Sequence, residues 1–357
     1  MAHVDTSGID DLLEVVWDRK ATDLLLTAGS PPLIRVDGTM SAIDGRAALT
    51  PDDTERVVAG VIGDALAELR KERELDFAFG WRELARFRAN AFFERGAMTL
   101  SVRKIPLEIP TLGEIRLPAV VEEFLSMPQG LVLVTGPTGA GKSTTLASML
   151  DWINAHRATH IVTIEDPIEY IHRHKKSAVN QREVGEDTHS FARALRSVLR
   201  EDPDVVLVGE MRDQESIQTT LTIAETGHLV FATLHTNDTA TALDRIVDVF
   251  PTDRQQQVRV QLAAVLVAVV AQRLVPKIGG GLVAAFELLV ANTAVRNLIR
   301  EGKSAQLRNV LMTNQRIGMQ TLEMDLSRLV ADGVVTYDAA VAKSVVPKDV
   351  RAAATAP

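Results

Sequence analysis

The chain has 357 residues, a length that suits two domains, each with its own hydrophobic core, better than one. It has no cysteine, which excludes disulfides, thiol chemistry and cysteine-bound zinc. Its 47 acidic and 39 basic residues give a net charge of −8, a balance that argues against a dominant nucleic-acid surface.

The ends and apolar runs of the chain bear on its location. Residues 1–11 are polar and acidic and lack the basic and then apolar pattern of a signal peptide. The longest apolar run, residues 262–271, has ten residues, is too short to cross a bilayer, and is predicted to be a buried helix. We therefore expect a soluble cytoplasmic protein without a transmembrane segment.

The first hundred residues have the pattern of a mixed α/β domain, assigned to residues 1–103. Apolar residues recur at helical spacing between residues 9 and 17. A second helix is expected from Pro51 to about Arg73, because Thr50 is a good N-cap and proline suits the first helical position. The segments predicted to be strands are 23–26, 33–36 and 98–102.

Residues 104–118 are predicted to be an interdomain linker. Pro106, Pro110 and Pro118 lie close together, with Gly113 between them, and no helix can pass through such a segment. A second domain is then expected over residues 119–345. Residues 346–357 end in an alanine-rich stretch with nothing to bury, and we expect them to form a frayed tail.

The second domain alternates apolar strands with helical patterns, which is typical of an α/β fold with a largely parallel sheet. Ligands bind such sheets at the carboxyl ends of the strands, so the residues directly after each strand are the candidates for function. The predicted strands are 131–135, 160–164, 205–208, 229–234 and 283–289.

The first of these strands leads into a sequence that fits the phosphate-binding loop pattern G-x-x-x-x-G-K-[ST], and a helical pattern follows it. In such a loop the backbone N–H groups surround the phosphates of a nucleotide, and the helix N-terminus adds partial positive charge. A chance glycine-rich turn is the alternative, but it leaves the flanking strand and helix unexplained. The loop consists of Gly136, Pro137, Thr138, Gly139, Ala140, Gly141, Lys142, Ser143 and Thr144.

These residues predict that the chain binds a nucleoside triphosphate. Lys142 is expected at the β- and γ-phosphates, and the Ser143 hydroxyl on Mg²⁺. An NTPase also needs one carboxylate for the attacking water and another to organise Mg²⁺. Glu165 and Glu210 follow two of the predicted strands and fit this need. A single strand-end carboxylate often only caps the next helix, but two beside a phosphate loop favour the catalytic interpretation.

Two histidines bracket the predicted strand 229–234. They are His228 before it and His235 after it. Buried histidines often only tie strands together, and this alternative stays open for both. Because a strand next to the loop strand ends close to the γ-phosphate, we also consider both histidines candidate γ-phosphate sensors.

Four segments, in the same order as in the family, resemble the motifs of the type II/IV secretion ATPases. Residues 136–145 resemble the phosphate loop, 163–170 the Asp box, 207–213 the second acidic motif and 227–237 the His box. The resemblance implies ATP as substrate, Glu165 as the catalytic carboxylate, and Glu210 as a residue that helps hold Mg²⁺ and the water. It also implies a small PAS-like N-terminal domain, a RecA-like core and a homohexameric ring.

The same resemblance implies a role for three arginines of the first domain. Arg88, Arg95 and Arg103 match arginines that the family directs at the nucleotide, although an arginine in a strand-rich segment is usually a surface charge. An arginine delivered to the γ-phosphate by a moving domain contributes roughly 10³–10⁵ in rate. Leu25 stands where the family usually has a histidine, so any role of that histidine is absent here.

Two features favour the pilus-retraction branch of the family. The chain passes directly through residues 277–281 into the next strand, without the four-cysteine zinc module that pilus-assembly and type II secretion motors usually carry there. Residues 294–301 read A-V-R-N-L-I-R-E, nearly the retraction signature, and also fit an amphipathic surface helix. The resemblance implies a motor for pilus retraction and twitching motility that acts on a platform protein of the inner membrane.

Two other functions stay open. One is a related hexameric motor for pilus extension, secretion or DNA uptake. The other is a nucleotide-binding regulatory subunit that hydrolyses little, against which the intact Glu165 and Glu210 argue. A nucleic-acid translocase is disfavoured by the acidic charge and by the absence of a basic and aromatic binding stretch, so no nucleic-acid partner is expected.

Overall fold

The structure is a computed structural model that describes residues 5, 6, 8–36, 38–82, 84–106 and 108–352. The chain divides into two compact units, Met1–Glu108 and Ile109–Pro357. Residues 1–4 of the acidic N-terminus and residues 353–357 of the predicted tail lie outside the described residues. Within the described part of the chain, no helix is both long and apolar enough to span a membrane.

The first unit is an antiparallel sheet with helices packed against it. Its helices are α1 (Asp10–Asp18), α2 (Pro51–Ile62) and α3 (Leu66–Glu72). Its strands are β1 (Asp23–Leu26), β2 (Leu33–Val36), β3 (Thr39–Ala42), β4 (Glu74–Trp81), β5 (Ala85–Glu94) and β6 (Ala97–Ile105). Their spatial order is β3-β2-β1-β6-β5-β4.

Local sequence explains where the helix after Thr50 begins and why it is interrupted. The Thr50 hydroxyl accepts the Asp53 N–H, and the Asp53 carboxylate accepts the Thr50 N–H, a capping box that starts α2. The predicted single helix to Arg73 is instead divided into α2 and α3. Gly63 adopts a positive φ of 52° directly after α2, and a short 3₁₀ turn over Gly63–Ala65 follows.

The second unit contains a seven-stranded sheet with helices on both faces. Its strands are β7 (Gly130–Thr135), β8 (His160–Glu165), β9 (Ala178–Glu183), β10 (Val205–Val208), β11 (Leu229–Leu234), β12 (Leu266–Pro276) and β13 (Leu282–Val290). Their order is β13-β12-β7-β11-β10-β8-β9. Every pair is parallel except β12 with β13, so the predicted largely parallel sheet is confirmed.

Alternate residues of the central strands enter two separate cores, one on each face of this sheet. On β7, Leu131 and Leu133 belong to one core, and Val132 and Val134 to the other. The covering helices are α4 (Val121–Leu125), α5 (Lys142–His156), α6 (Phe191–Val198), α7 (Gln214–Glu225), α8 (Thr239–Asp248), α9 (Thr252–Val265), α10 (Thr293–Arg300), α11 (Leu307–Thr313), α12 (Leu322–Ala331) and α13 (Tyr337–Lys343).

The prediction of a buried helix over residues 262–271 was wrong. Helix α9 ends at Val265, and β12 begins at Leu266. The strand lies between β7 and β13, so both of its edges find hydrogen-bond partners in the sheet. A short apolar run does not distinguish a buried helix from a buried strand, and here pairing with β7 and β13 decides the outcome.

The segments predicted as linker and tail contain packed residues. Leu112 and Leu117 are buried in a core of the second unit. In the tail, Val350 is buried and the Arg351 N–H donates to the Ser327 hydroxyl, so this part of the tail is held against the second unit. The buried Glu323 contributes to this packing, because its carboxylate accepts the N–H groups of residues 345 and 346.

The segment that resembles the retraction signature forms α10. Val295 and Ile299 are buried as expected for an amphipathic helix. The guanidinium of Arg296 donates to the carbonyls of Ala264 at 2.8 Å and Ala291 at 3.0 Å. The bond to Ala264 joins α10 to the last turn of α9, and the bond to Ala291 joins it to the residue that follows β13.

Candidate nucleotide-binding site

The predicted site residues follow four neighbouring strands of the second unit. The strands β7, β11, β10 and β8 are adjacent and parallel, so their carboxyl ends meet at one edge of the sheet. The phosphate loop follows β7, Glu165 ends β8, Glu210 follows β10 and His235 follows β11. The structure therefore brings together the groups that the sequence placed at separate strand ends.

The loop has the backbone shape that a phosphate cradle needs. Gly136, Gly139 and Gly141 have φ angles of 153°, 75° and 86°, a region that residues with a side chain rarely adopt. Helix α5 begins at Lys142 after Gly141, and no side chain caps its first turn. The N–H groups of that turn are therefore available to an anion.

Lys142 lies inside this loop. Its ammonium donates to the carbonyls of Gly136 at 2.8 Å and Pro137 at 3.2 Å. Burial lowers the pKa of Lys142, an effect that the negative charges of Glu210 and Glu169 oppose. A buried ammonium held by two carbonyls is placed to exchange these contacts for phosphate oxygens.

Glu165 is held by two side-chain donors. The Thr163 hydroxyl donates to its Oε1 at 2.6 Å, and the Gln181 amide Nε2 lies 3.2 Å from the same oxygen. Burial raises the pKa of Glu165 to about 7, although both donors oppose this effect. A carboxylate with a pKa near neutrality is suited to accept a proton from water.

Glu210 and His235 form a second group at the same edge. Arg212 Nε donates to Glu210 Oε2 at 2.9 Å, and His235 Nε2 lies 3.3 Å from Glu210 Oε1. The other ring nitrogen of His235 is 3.4 Å from the hydroxyl of Thr138. His235 therefore bridges the second carboxylate and the phosphate loop.

The structure does not bring His228 to this edge. It precedes β11, beside Gly130, which is the first residue of β7. One ring nitrogen of His228 lies 2.9 Å from the Ile223 carbonyl. The six residues of β11 separate it from the strand end, about 20 Å along an extended strand. His228 joins strand and helix, the structural alternative that the sequence left open.

The arginines of the first unit lie on its antiparallel sheet. Arg88 on β5 and Arg103 on β6 are directly opposite each other and both are exposed. Arg103 Nε donates to the buried Asp23 at 2.7 Å. Arg95 lies in the turn after β5, seven residues beyond Arg88, roughly 20 Å along an extended strand. Arg88 and Arg103 form a pair from which Arg95 is separate.

Several residues that position the site were missed from the sequence. Gln272 on β12 is buried, and its Nε2 donates to the Ala140 carbonyl at 2.6 Å. The Tyr170 hydroxyl is 2.8 Å from that of Thr144. Gln272 is a polar residue within an otherwise apolar strand, a signal that could have found it from the sequence.

The residues present fit a magnesium nucleotide. Among the described residues, no group of three or more histidine, cysteine, aspartate or glutamate side chains is arranged to hold a metal ion. Mg²⁺ in nucleotide sites is held mainly by phosphate oxygens and water, with one or two protein ligands. The hydroxyl of Ser143 and the carboxylate of Glu210 are donors of this kind.

In the second unit, the phosphate loop lies between β7 and α5, and two carboxylates stand at strand ends of the mostly parallel sheet. This arrangement defines a RecA-like ATPase core. The sequence matches the type II/IV secretion system proteins over residues 98–284, and the chain belongs to this family. The predicted fold class is confirmed by this match together with the structural similarity described below, including the smaller PAS-like domain before the core.

The chain is similar to pilus-retraction proteins over nearly its whole length. It is 48% identical to the type IV pilus retraction ATPase PilT of Pseudomonas aeruginosa, over 96% of this chain and 99% of that protein. It is 48% identical to a twitching motility protein of Neisseria gonorrhoeae, over 87% of this chain and 83% of that protein. A crystal structure of the pilus retraction motor PilT with bound ADP matches 96% of this chain and 98% of that chain, at 48% identity and a TM-score of 0.90. The resemblance inferred from the motifs is confirmed.

Proposed function

We propose that this chain is the ATP-hydrolysing subunit of a ring motor that powers type IV pilus retraction. The observation that carries the proposal is the meeting of the phosphate loop, Glu165 and Glu210 at one sheet edge. This edge lies in a chain that is 48% identical to a pilus retraction ATPase over 96% of its length.

In this proposal the loop residues hold ATP. Lys142 and the N–H groups of the first turn of α5 bind the phosphates, Ser143 would bind Mg²⁺, and Glu210 would help to hold the ion and the water. Bound Mg²⁺ supplies charge neutralisation between the phosphates. Glu165 orients the attacking water and accepts its proton, a role that its raised pKa supports. His235 senses the γ-phosphate through its contacts with Thr138 and Glu210.

The first unit contributes positive charge in the same proposal. Arg88 and Arg103, which lie side by side on one sheet face, reach the γ-phosphate when the two domains close. We assign Arg95 only a secondary role, because it lies beyond the end of β5. Hydrolysis lets the domains reopen about residues 104–118, and closure around a homohexameric ring moves a platform protein at the cytoplasmic face of the inner membrane.

Hydrolysis by the purified protein tests the enzymatic part of the proposal. ATP turnover with and without Mg²⁺ is measured for the wild type and for Glu165→Gln, with the mass of each sample determined by light scattering. We expect a hexamer whose ATP turnover requires Mg²⁺ and falls roughly 10²–10⁴-fold in the variant. Equal, negligible turnover in two proteins that both bind ATP would instead identify a regulatory subunit.

Complementation tests the direction of the motor. The gene is expressed in a Pseudomonas aeruginosa strain that lacks its own retraction ATPase, and twitching is scored beside the Glu165→Gln variant. Restored twitching by the wild type alone is the expected result. Failure of an active hexamer to restore twitching, together with rescue of a strain that lacks its pilus-assembly ATPase, would assign the chain to pilus extension.

A further inference from the structure

A chain of hydrogen bonds connects the phosphate loop with Glu165 through Gln181. Thr144, in the first turn of α5, shares a hydrogen bond of 2.8 Å with the Tyr170 hydroxyl. The carbonyl of Tyr170 accepts a bond from Gln181 Nε2 at 2.8 Å. The same Nε2 donates to Glu165 Oε1 at 3.2 Å. Nothing in the motifs assigns a role to Gln181, which lies in β9, one of the strands that were not predicted from the sequence.

The strand pairing explains why Gln181 reaches Glu165. Strands β8 and β9 are parallel, and Thr163 is in register with Gln181, so both side chains stand on the same face as Glu165 two residues later. Oε1 of the Gln181 amide accepts the His172 N–H at 2.8 Å. Because the amide oxygen must face this N–H, the amide nitrogen must face Glu165.

We propose that Gln181 is a positioning residue for ATP hydrolysis, which holds Glu165 Oε1 and favours the ionised carboxylate that takes a proton from water. This inference rests on the proposed function. A donor to the charged form of an acid lowers its pKa, so the loss of this donor must raise the pKa of Glu165.

The groups that stabilise the negative charge of Glu165 are neutral hydrogen-bond donors. Burial disfavours the charge, and the donors that oppose burial are the Thr163 hydroxyl, the Gln181 amide and the Glu169 N–H. The Glu169 carboxylate raises the pKa further. In the part of the chain that the structure describes, no basic side chain forms an ion pair with Glu165.

Arg182, a cation on the neighbouring strand β9, forms its ion pair with Glu201 rather than with Glu165. Glu183 is opposite Glu165 on β9, and its carboxylate accepts the Ile168 N–H at 3.1 Å. On the other side, a side chain at Gly209, just after β10, would lie only 3.3 Å from the Glu165 Cα, and glycine brings no charge there. The loss of one donor is therefore not masked by a nearby cation.

The test replaces Gln181 by methionine, which has a similar length and no donor. The pKa of Glu165 is followed by pH-difference infrared spectroscopy, through the carbonyl band of the protonated carboxyl group that Glu165→Gln lacks. The pH dependence of ATP turnover is measured in parallel. We expect the pKa and the acidic limb of turnover to rise by about one unit, so that turnover at about pH 6 falls about tenfold and recovers at about pH 9.

A matched control separates positioning from general loosening of this segment. Asn154 anchors the same segment, because its amide donates to the Arg173 carbonyl at 2.7 Å and accepts the Lys175 N–H at 3.0 Å, without touching Glu165. Asn154→Ala is expected to lower stability and leave the infrared pKa unchanged. Gln181→Glu keeps the side-chain length and provides a second variant, in which a like charge raises the pKa more than methionine does.

An unchanged infrared pKa in both Gln181 variants would overturn the inference, as would an equal shift in Asn154→Ala. The infrared readout needs no turnover. If the wild type fails to hydrolyse ATP while Gln181→Met still raises the pKa, the proposed function fails and the control of Glu165 by Gln181 stands.

Discussion

The phosphate loop has no room for a side chain at Gly136, and this makes a strong prediction for Gly136→Ala. An added Cβ would lie 2.5 Å from the Gln272 carbonyl oxygen and 3.0 Å from the Ala140 Cβ. The carbonyl belongs to the paired strand β12, so it cannot move without breaking sheet contacts. Overpacking of this kind costs about 1–3 kcal/mol. The φ of 153° adds backbone strain of about 1–3 kcal/mol.

Gly139→Ala is the matched control in the same loop. Gly139 has a φ of 75°, yet a Cβ there would have no atom within 4 Å, so only the backbone strain of about 1–2 kcal/mol applies. The free energy of unfolding from urea titration and the affinity for a fluorescent ATP analogue are measured for both variants. We expect Gly136→Ala to lose about 2–6 kcal/mol and to bind nucleotide at least about tenfold more weakly than Gly139→Ala. Equal losses in the two variants would refute the argument from close packing.

Three further predictions use burial and position. Burial raises the pKa of Glu165 to about 7, so the contribution of this residue to stability is present below about pH 4.5 and is lost as the pH rises through about 7. At about pH 8, Glu165→Gln should therefore be more stable than the wild type, by on the order of 2 kcal/mol in the free energy of unfolding from urea titration. A variant less stable than the wild type would contradict this. The N–H and the hydroxyl of Thr239 both donate to the buried Glu287 carboxylate at 2.8 Å. Glu287→Leu leaves both donors without an acceptor and should lower the free energy of unfolding by about 2–4 kcal/mol, whereas Glu287→Gln keeps an acceptor and should lower it less. Arg88→Ala should reduce ATP turnover by roughly 10³-fold, and Arg95→Ala should reduce it much less. Similar losses in the two variants would contradict the assignment of the main role to Arg88 and Arg103.

The phosphate-loop pattern and the two strand-end carboxylates could be located from the sequence because their signals are local. The loop is one contiguous pattern between a strand and a helix, and its lysine and glycines need no distant partner to be recognised. Glu165 and Glu210 were found by a rule that parallel sheets obey, namely that function follows the carboxyl ends of strands. The apolar strands themselves made this rule applicable.

Outcomes that depend on distant neighbours could not be predicted from the sequence, even where the residues themselves were named as candidates. The run 262–271 has one composition throughout, and only pairing with β7 and β13 decides that its second half is a strand. Both histidines bracket β11, but its direction in the sheet places only His235 at the site. Arg88 and Arg103 are fifteen residues apart in sequence and meet only through hairpin register.

The amino-acid sequence by itself indicated a nucleotide-binding chemistry, because the loop pattern is contiguous and each of the two carboxylates lies at the end of a predicted apolar strand. Only the tertiary structure decided which side chains hold that chemistry in place. Gln181 lies 16 residues along the chain from Glu165, and Gln272 lies 132 residues from Ala140, yet each donates a hydrogen bond to that partner. Such contacts arise from strand order and register, which long-range pairing sets and no local pattern contains.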